Sequence, residues 1–295
     1  MTTVLVTGAS GFVGSYLVPR LSADHDVIAL SRRATSVGGR AASGDHVTVR
    51  GDFASYEDLR ALDAHEIDVV VHLASEIGGC PEAAGLEVNV LGTRTLMRYL
   101  IDRGCKRFVL ASSIGANGCL TPEFLPRELP IPDDHPCDAV DAYGMSKALL
   151  EEVAFYLGRR HPELEIVLFR LGVVQAEEVN ELAKEQLPET TLPFAVGGAA
   201  ISLTDAVEAF ALAAERPLGP GVRRMNLVGA RSKTPIPVPE ALERALGARA
   251  AALDLAHYRV EGHERDSLYA TDRLREAYGL SAGHDLPSAT AAADA

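Results

Sequence analysis

A β-branched apolar run from Thr3 to Thr7 leads without a break into Thr7-Gly8-Ala9-Ser10-Gly11-Phe12-Val13-Gly14. Glycines at i, i+3 and i+6, placed where strand periodicity gives way to helical periodicity, leave few folds open. Gly8 lets the chain turn sharply, Gly11 lets backbone N–H groups approach a pyrophosphate with no Cβ in the way, and Gly14 lets the next helix pack close to the sheet. An anion then sits on the positive end of the helix dipole, among Ser10, Gly11, Phe12 and Val13. The turn therefore predicts a dinucleotide-binding site.

The pattern downstream agrees with such a site. Short β-branched runs at 3–7, 26–30, 46–49, 69–73, 107–111 and 165–171 alternate with helical stretches at 11–22, 55–62, 86–103 and 141–160. Several of the runs are nearly continuous apolar segments, as strands covered on both faces must be. This is the signature of an α/β fold, a doubly wound parallel sheet of the Rossmann kind. After Leu171 the alternation weakens. The polar segment 173–198 leaves the sheet, a strand-then-helix at 200–216 and a strand at 224–228 return to it, and 232–280 leaves again. Residues 1–172 with about 199–230 thus read as a dinucleotide-binding domain, and about 173–198 with 231–280 as a small C-terminal substrate lobe. Residues 281–295, rich in Ala, Ser and Asp, read as a disordered tail.

With 28 Lys and Arg against 41 Asp and Glu, the 295-residue chain carries a net charge of −13, which argues against nucleic acid or an anionic membrane as partner. An anionic ligand needs a local basic site. Cys80, Cys105, Cys119 and Cys137 show neither CxxC nor His-paired spacing, so no metal site is expected, and so few cysteines fit a reduced cytoplasmic protein. No targeting segment opens the sequence, and no apolar stretch reaches the roughly 18 residues of a membrane span.

The end of the second strand should carry the group that reads the adenosine ribose. It runs Leu30-Ser31-Arg32-Arg33, with no carboxylate to take a ribose 2′-hydroxyl. Arginine and a hydroxyl suit a 2′-phosphate, so NADP is favoured over NAD, which stays open. After the third strand, Gly51-Asp52-Phe53 can set a carboxylate and a backbone amide against the adenine edge.

Tyr143-Gly144-Met145-Ser146-Lys147 lies at the start of a predicted helix, where the i, i+4 spacing puts phenol and ammonium on one face. A neighbouring cation lowers a phenol's pKa towards working pH and so makes a proton donor or acceptor. The fifth strand ends in Ser112-Ser113, at the edge where open α/β sheets bind ligands. Ser112 fits a strand-terminating role, and Ser113 a substrate-facing one.

Taken together, the TGxxGxxG turn, His72-Leu73-Ala74, Asn89-Val90-Leu91-Gly92-Thr93, the Ser-Ser strand end and the YxxxK helix resemble the extended short-chain dehydrogenase/reductase family, densely up to about Leu171 and thinly beyond. The resemblance implies that Tyr143 is the general acid/base, that Lys147 lowers its pKa and holds the nicotinamide ribose, and that Ser113 orients the reacting carbonyl. It also implies that Asn89 holds local geometry beside the cofactor and that His72, Leu73, Ala74 and Ser75 line the cofactor cleft. Thr271-Asp272-Arg273-Leu274 echoes a late segment of the family, and homodimerisation through the helices at 86–103 and 141–160 is a further implication.

Departures from the family pattern order the functional readings. No acidic residue follows Ser113, which disfavours the dehydratases. Gly115-Ala116-Asn117-Gly118 and Phe169-Arg170-Leu171-Gly172 replace motifs common in the epimerases. A reductase or dehydrogenase moving hydride between nicotinamide and a carbonyl or alcohol of a small molecule comes first. A redox-neutral nucleotide-sugar epimerase with retained NAD is the alternative, and a cofactor sensor without turnover stands third. Substrate contacts are expected from 76–85, from 117–136 and from the lobe after Gly172, with Asp133, Asp134 and His135 read as solvated turn residues. The substrate itself is not legible in these residues.

Overall fold

The computed structural model describes residues 1–32, 46–176, 192–234 and 236–284. Arg33 lies outside the described residues. The strands are β1 (Thr3–Thr7), β2 (Asp26–Ser31), β3 (His46–Arg50), β4 (Val69–His72), β5 (Arg107–Ser113), β6 (Glu165–Leu171), β7 (Val173–Gln175), β8 (Ala200–Ser202) and β9 (Gly221–Leu227). The helices are α1 (Gly14–Ser22), α2 (Tyr56–Leu59), a single turn α3 (Glu82–Ala84), α4 (Thr93–Ile101), α5 (Ala142–Arg160), α6 (Leu203–Glu215), α7 (Val238–Leu246) and α8 (Asp272–Tyr278).

Seven strands form one sheet in the order β3-β2-β1-β4-β5-β6-β9, and β7 and β8 pair in a separate parallel ribbon. The large sheet is the parallel, doubly wound sheet expected from the alternation. Its order reverses between β1 and β4, the place where ligands bind in such sheets. Thr7 is in register with Leu30 on one side and His72 on the other, so Gly8, Ser31 and Leu73 emerge at the same carboxyl edge. Every residue of β4 is buried, as expected of a central strand with both faces covered.

The predicted helix at 86–103 begins earlier and is wound differently. After α3 the chain continues through Gly85–Gly92 in π-helical turns before entering α4. Gly92 lies against Phe53 and Ala54, where a Cβ would come within 2.8 Å of the ring and 3.0 Å of the Ala54 methyl, so a side chain there would have to displace them.

The described residues fall into two compact units. One draws on Met1–Ser112, Met145–Phe169 and Val207–Arg223, with a core of Leu5, Ile28, Val70, Leu96, Phe108 and Leu168. The other draws on Ser113–Gly144, Arg170–Ala206 and Arg224–Ala295, with a core that includes Ile131, Phe194, Leu242, Tyr258 and Tyr269.

In the second unit the structure corrects the reading of 133–135. Arg170 is wholly buried, and its guanidinium donates to the backbone carbonyls of Asp133 and His135 and to Cys137 Sγ. Asp133 is buried too, its carboxylate accepting from Asn226 N–H at 2.6 Å, and His135 is buried with it. A guanidinium without access to water must find its acceptors in the chain, and this turn supplies them. Asp134 alone is a surface residue, paired with Arg273. Residues 281–284 are also anchored, with the Ala282 carbonyl accepting from Ala230 N–H and His284 bonded to the buried Asp205.

Arg170→Met takes the guanidinium from the His135 carbonyl and leaves the Asp133 carbonyl only its bond from Arg224 Nε, and should lower unfolding stability by about 3 kcal/mol or more, whereas Asp134→Ala should change it by less than about 1 kcal/mol. Urea denaturation of the two variants checks both values.

Candidate active site

The glycine turn is pinched against the end of β4. Gly8 has φ +70°, and a Cβ on it would meet Ala74 N at 2.7 Å and Leu73 C at 2.9 Å. A Cβ on Gly14 would stand 2.2 Å from the Gly8 carbonyl oxygen, and that same oxygen accepts from Gly11 N–H at 2.9 Å. The cradle is closed by backbone, and only hydrogen fits at these positions. Ser10, Gly11 and Phe12 are exposed and Val13 is half-buried. No side chain caps α1, and its first turn holds no acidic residue, so its leading amides suit an anion. These residues fit a dinucleotide diphosphate.

At the ribose end, Ser31 Oγ lies 3.0 Å from Ser10 Oγ, which links the tip of β2 to the glycine turn. Arg32 follows, exposed. Asp52 uses one carboxylate oxygen to accept from Ala54 N–H at 2.9 Å, and the Phe53 ring is buried edge-on to His72 at 4.8 Å. Phe53 thus offers a ligand its backbone rather than its ring.

His72 is buried between two hydroxyls, with Nδ1 2.6 Å from Thr7 Oγ1 and Nε2 2.9 Å from Thr93 Oγ1. Burial, with the Lys147 charge adding to it, pushes its pKa down to about 3, so the ring is neutral and holds strands and helix together. Leu73 N–H donates to the Thr7 carbonyl, while Ala74 and Ser75 are half-buried beyond it. Asn89 is fully buried and acts as a latch. Its Oδ1 accepts from Glu76 N–H at 2.7 Å, and its Nδ2 donates to the Glu76 carbonyl and to Ser146 Oγ.

Lys147 is buried, and its ammonium donates to the Ala111 carbonyl at 2.9 Å. Burial lowers its pKa to about 8, against the opposing pull of Cys80 and Glu151. Glu151, one helical turn beyond Lys147, has no exposure and accepts from Ser112 Oγ at 2.7 Å. Sequence reasoning missed Glu151. The signal was there, since a carboxylate beside Leu150 and Ala154 sits on the apolar stripe of α5.

The two serines divide their work differently from expectation. Ser112 points into the core towards Glu151, and Ser113 Oγ accepts from Gly115 N–H at 3.0 Å, capping the short turn Ile114–Asn117. Its hydroxyl proton is still available for donation. Tyr143, half-buried, is the second residue of α5. Gly144 fits directly against the turn after Ser113, where a Cβ would be 2.5 Å from the Gly115 carbonyl oxygen, and its N–H donates to Asp141 Oδ1. The phenol-bearing turn and the serine-bearing turn are therefore packed together. Between them in sequence, the Asn117 amide is buried with neither atom bonded.

The parallel seven-stranded sheet with its strand-to-glycine turn is a Rossmann-type fold. The sequence profile of the NAD dependent epimerase/dehydratase family matches residues 4–197, and the chain belongs to that family. It is similar to the UDP-glucose 4-epimerase of Pisum sativum, at 28% identity over 210 residues, which covers 65% of this chain and 58% of that protein. The chain thus spans little more than half the length of this relative. Among solved structures, UDP-glucose 4-epimerase from Bifidobacterium longum in complex with NAD+ and UDP aligns over 98% of this chain and 96% of its own, with TM-score 0.72 and 19% identity. A short-chain dehydrogenase/reductase superfamily protein from Agrobacterium tumefaciens with bound NAD aligns over 99% and 95%, with TM-score 0.69 and 23% identity. These two establish the fold.

Glu151→Gln keeps an acceptor for Ser112 but removes a charge that holds the Lys147 pKa up, so that pKa should fall below about 8. Activity that needs the ammonium is lost as pH rises through this value, and the alkaline limb of the rate profile should move to lower pH. A pH–rate comparison of variant and wild type measures the shift.

Proposed function

We propose that this chain is a redox-neutral nucleotide-sugar epimerase, which removes hydride from a secondary alcohol carbon and returns it to the opposite face. The observation that carries the reading is the YxxxK start of α5, packed through Gly144 on the turn that follows Ser113, in a chain whose curated relative is named UDP-glucose 4-epimerase. The net reductase placed first by sequence analysis yields to this alternative, which the relatives favour.

The chain's own groups suit the chemistry. Tyr143 takes the proton of the substrate hydroxyl and later returns it, and Ser113 donates a hydrogen bond to the same oxygen. Lys147 sets a positive field beside the phenol and favours phenolate. The glycine turn and the start of α1 hold the diphosphate of a nicotinamide dinucleotide, and Ser31 and Arg32 face its adenosine ribose. When bound, that dinucleotide supplies the hydride acceptor and donor. Asn117, buried and unbonded, supports a polar substrate group near the Ser113 turn.

A second reading, an NADP-dependent oxidoreductase, rests on one specific feature. The described end of β2 presents Ser31 and Arg32 and no carboxylate. The two readings separate in one assay. Purified protein given UDP-glucose should form its epimer with no net change in nicotinamide absorbance, and NAD should raise its melting temperature more than NADP. Steady consumption of NADPH with a carbonyl substrate, and no epimer, would establish the second reading instead. Tyr143→Phe should cut turnover by about 10²–10⁴-fold in either case while leaving cofactor affinity within a few-fold, as judged by dinucleotide titration.

A further inference from the structure

Away from the glycine turn and α5, three ligand-type side chains converge on the connection that follows α7. His257 opens a short helical turn, His263 lies six residues on, and Asp266 three beyond that. His257 Nε2 stands 3.0 Å and His263 Nδ1 2.7 Å from the same oxygen, Asp266 Oδ2, and the three ligand atoms all lie within 4.8 Å of one another. The imidazole centroids are 4.9 Å apart with ring planes inclined at 47°, so the rings fan around the carboxylate oxygen rather than stack.

The backbone that carries them is wound and tethered. His263 N–H donates to the Val260 carbonyl, Asp266 N–H to the His263 carbonyl, and Ser232 and Val238 N–H to the carbonyls of Arg265 and Glu264. Buried Tyr258, next to His257, donates its hydroxyl to the Ser267 carbonyl. The side chains of His257, His263 and Asp266 keep 40%, 48% and 32% of their exposure, so an ion from solvent can reach them. Among the described residues no lysine or arginine pairs with Asp266.

Two imidazole nitrogens and one carboxylate oxygen suit zinc and its first-row neighbours, whereas calcium and magnesium take mainly oxygen. We infer that His257, His263 and Asp266 form a binding site for a divalent transition-metal ion of the zinc class, with water completing its coordination. Structural zinc sites close with four protein ligands, whereas a site with three leaves a coordination position to water. The bound ion ties together the two ends of 257–266 and stabilises the folded chain by mass action. No cysteine takes part, and the spacing H-x5-H-x2-D is none of the cysteine-based metal motifs.

Calorimetric titration of the untagged, metal-stripped full chain with zinc chloride, and in parallel with magnesium chloride, tests the site. The wild type should bind one zinc per chain with a rise in Tm, and His263→Gln and Asp266→Asn should each weaken binding by at least about tenfold and lose the rise. Cys80 and Cys137 are accessible thiols, so the double variant His257→Gln/His263→Gln serves as the reference for zinc held elsewhere. Zinc uptake by that variant equal to the wild type's overturns the site, as does no uptake by the wild type. Magnesium bound as tightly as zinc overturns the metal class. If a variant fails to fold, cobalt loading of the wild type decides. Visible d–d absorption of a nitrogen-ligated ion supports the site, and a spectrum identical to aqueous cobalt overturns it.

Discussion

The close approach of Gly8 to the Leu73–Ala74 peptide is the constraint from which the nucleotide end of this protein follows. A Cβ at Gly8 would lie 2.7 Å from Ala74 N, far inside van der Waals contact, so the turn and β4 can meet only through glycine. That contact keeps the first residues of α1 beside the carboxyl edge of the sheet, with their amides facing outward. It also fixes Thr7, whose hydroxyl reaches His72 Nδ1 and whose carbonyl takes the Leu73 amide. One steric condition thus sets the glycine turn and the bonds that Thr7 makes to His72 and Leu73 together.

The second constraint is the cost of keeping an ammonium out of water. Lys147 has almost no exposure, and a buried cation is tolerated only with acceptors at hand. The Ala111 carbonyl provides a direct bond, and Glu151 provides charge from one turn further along the helix. Glu151 in turn is held by Ser112, so β5 and α5 are joined by two polar links spaced one residue apart on the strand. Removing the carboxylate would leave Lys147 with less opposition to desolvation. The pair holds an ammonium and a carboxylate one helical turn apart on α5, each bonded to β5.

What could be read from the sequence was what depends on local geometry. The strand-to-glycine turn, the run of buried strands and the YxxxK spacing are properties of short stretches, and the sheet and its switch point followed from them. Partnering across long separations was hidden. Asp133 finds Asn226, and Arg170 finds the carbonyls of 133 and 135, only after the chain has folded, so a turn composed of Asp, Asp and His looked like surface. The two serines of β5 show a subtler limit. Adjacent strand residues point to opposite faces, so deciding which serine looks inward needs a register that composition does not carry.

Epimerase and oxidoreductase share their first half-reaction, because both need a phenol to take a proton while hydride leaves the same carbon. They part only in what happens to the oxidised substrate. An epimerase must retain it long enough for the carbonyl to present its other face, whereas an oxidoreductase must release it. A phenol that exchanges a proton with the substrate oxygen cannot make that choice, since it is indifferent to which face is reduced. The choice belongs to whatever grips the rest of the substrate. A nucleotide diphosphate anchored away from the reacting carbon permits rotation without escape, and a small carbonyl compound has no such tether. The decision therefore falls to the segments that grip the substrate rather than to the residues that carry the chemistry.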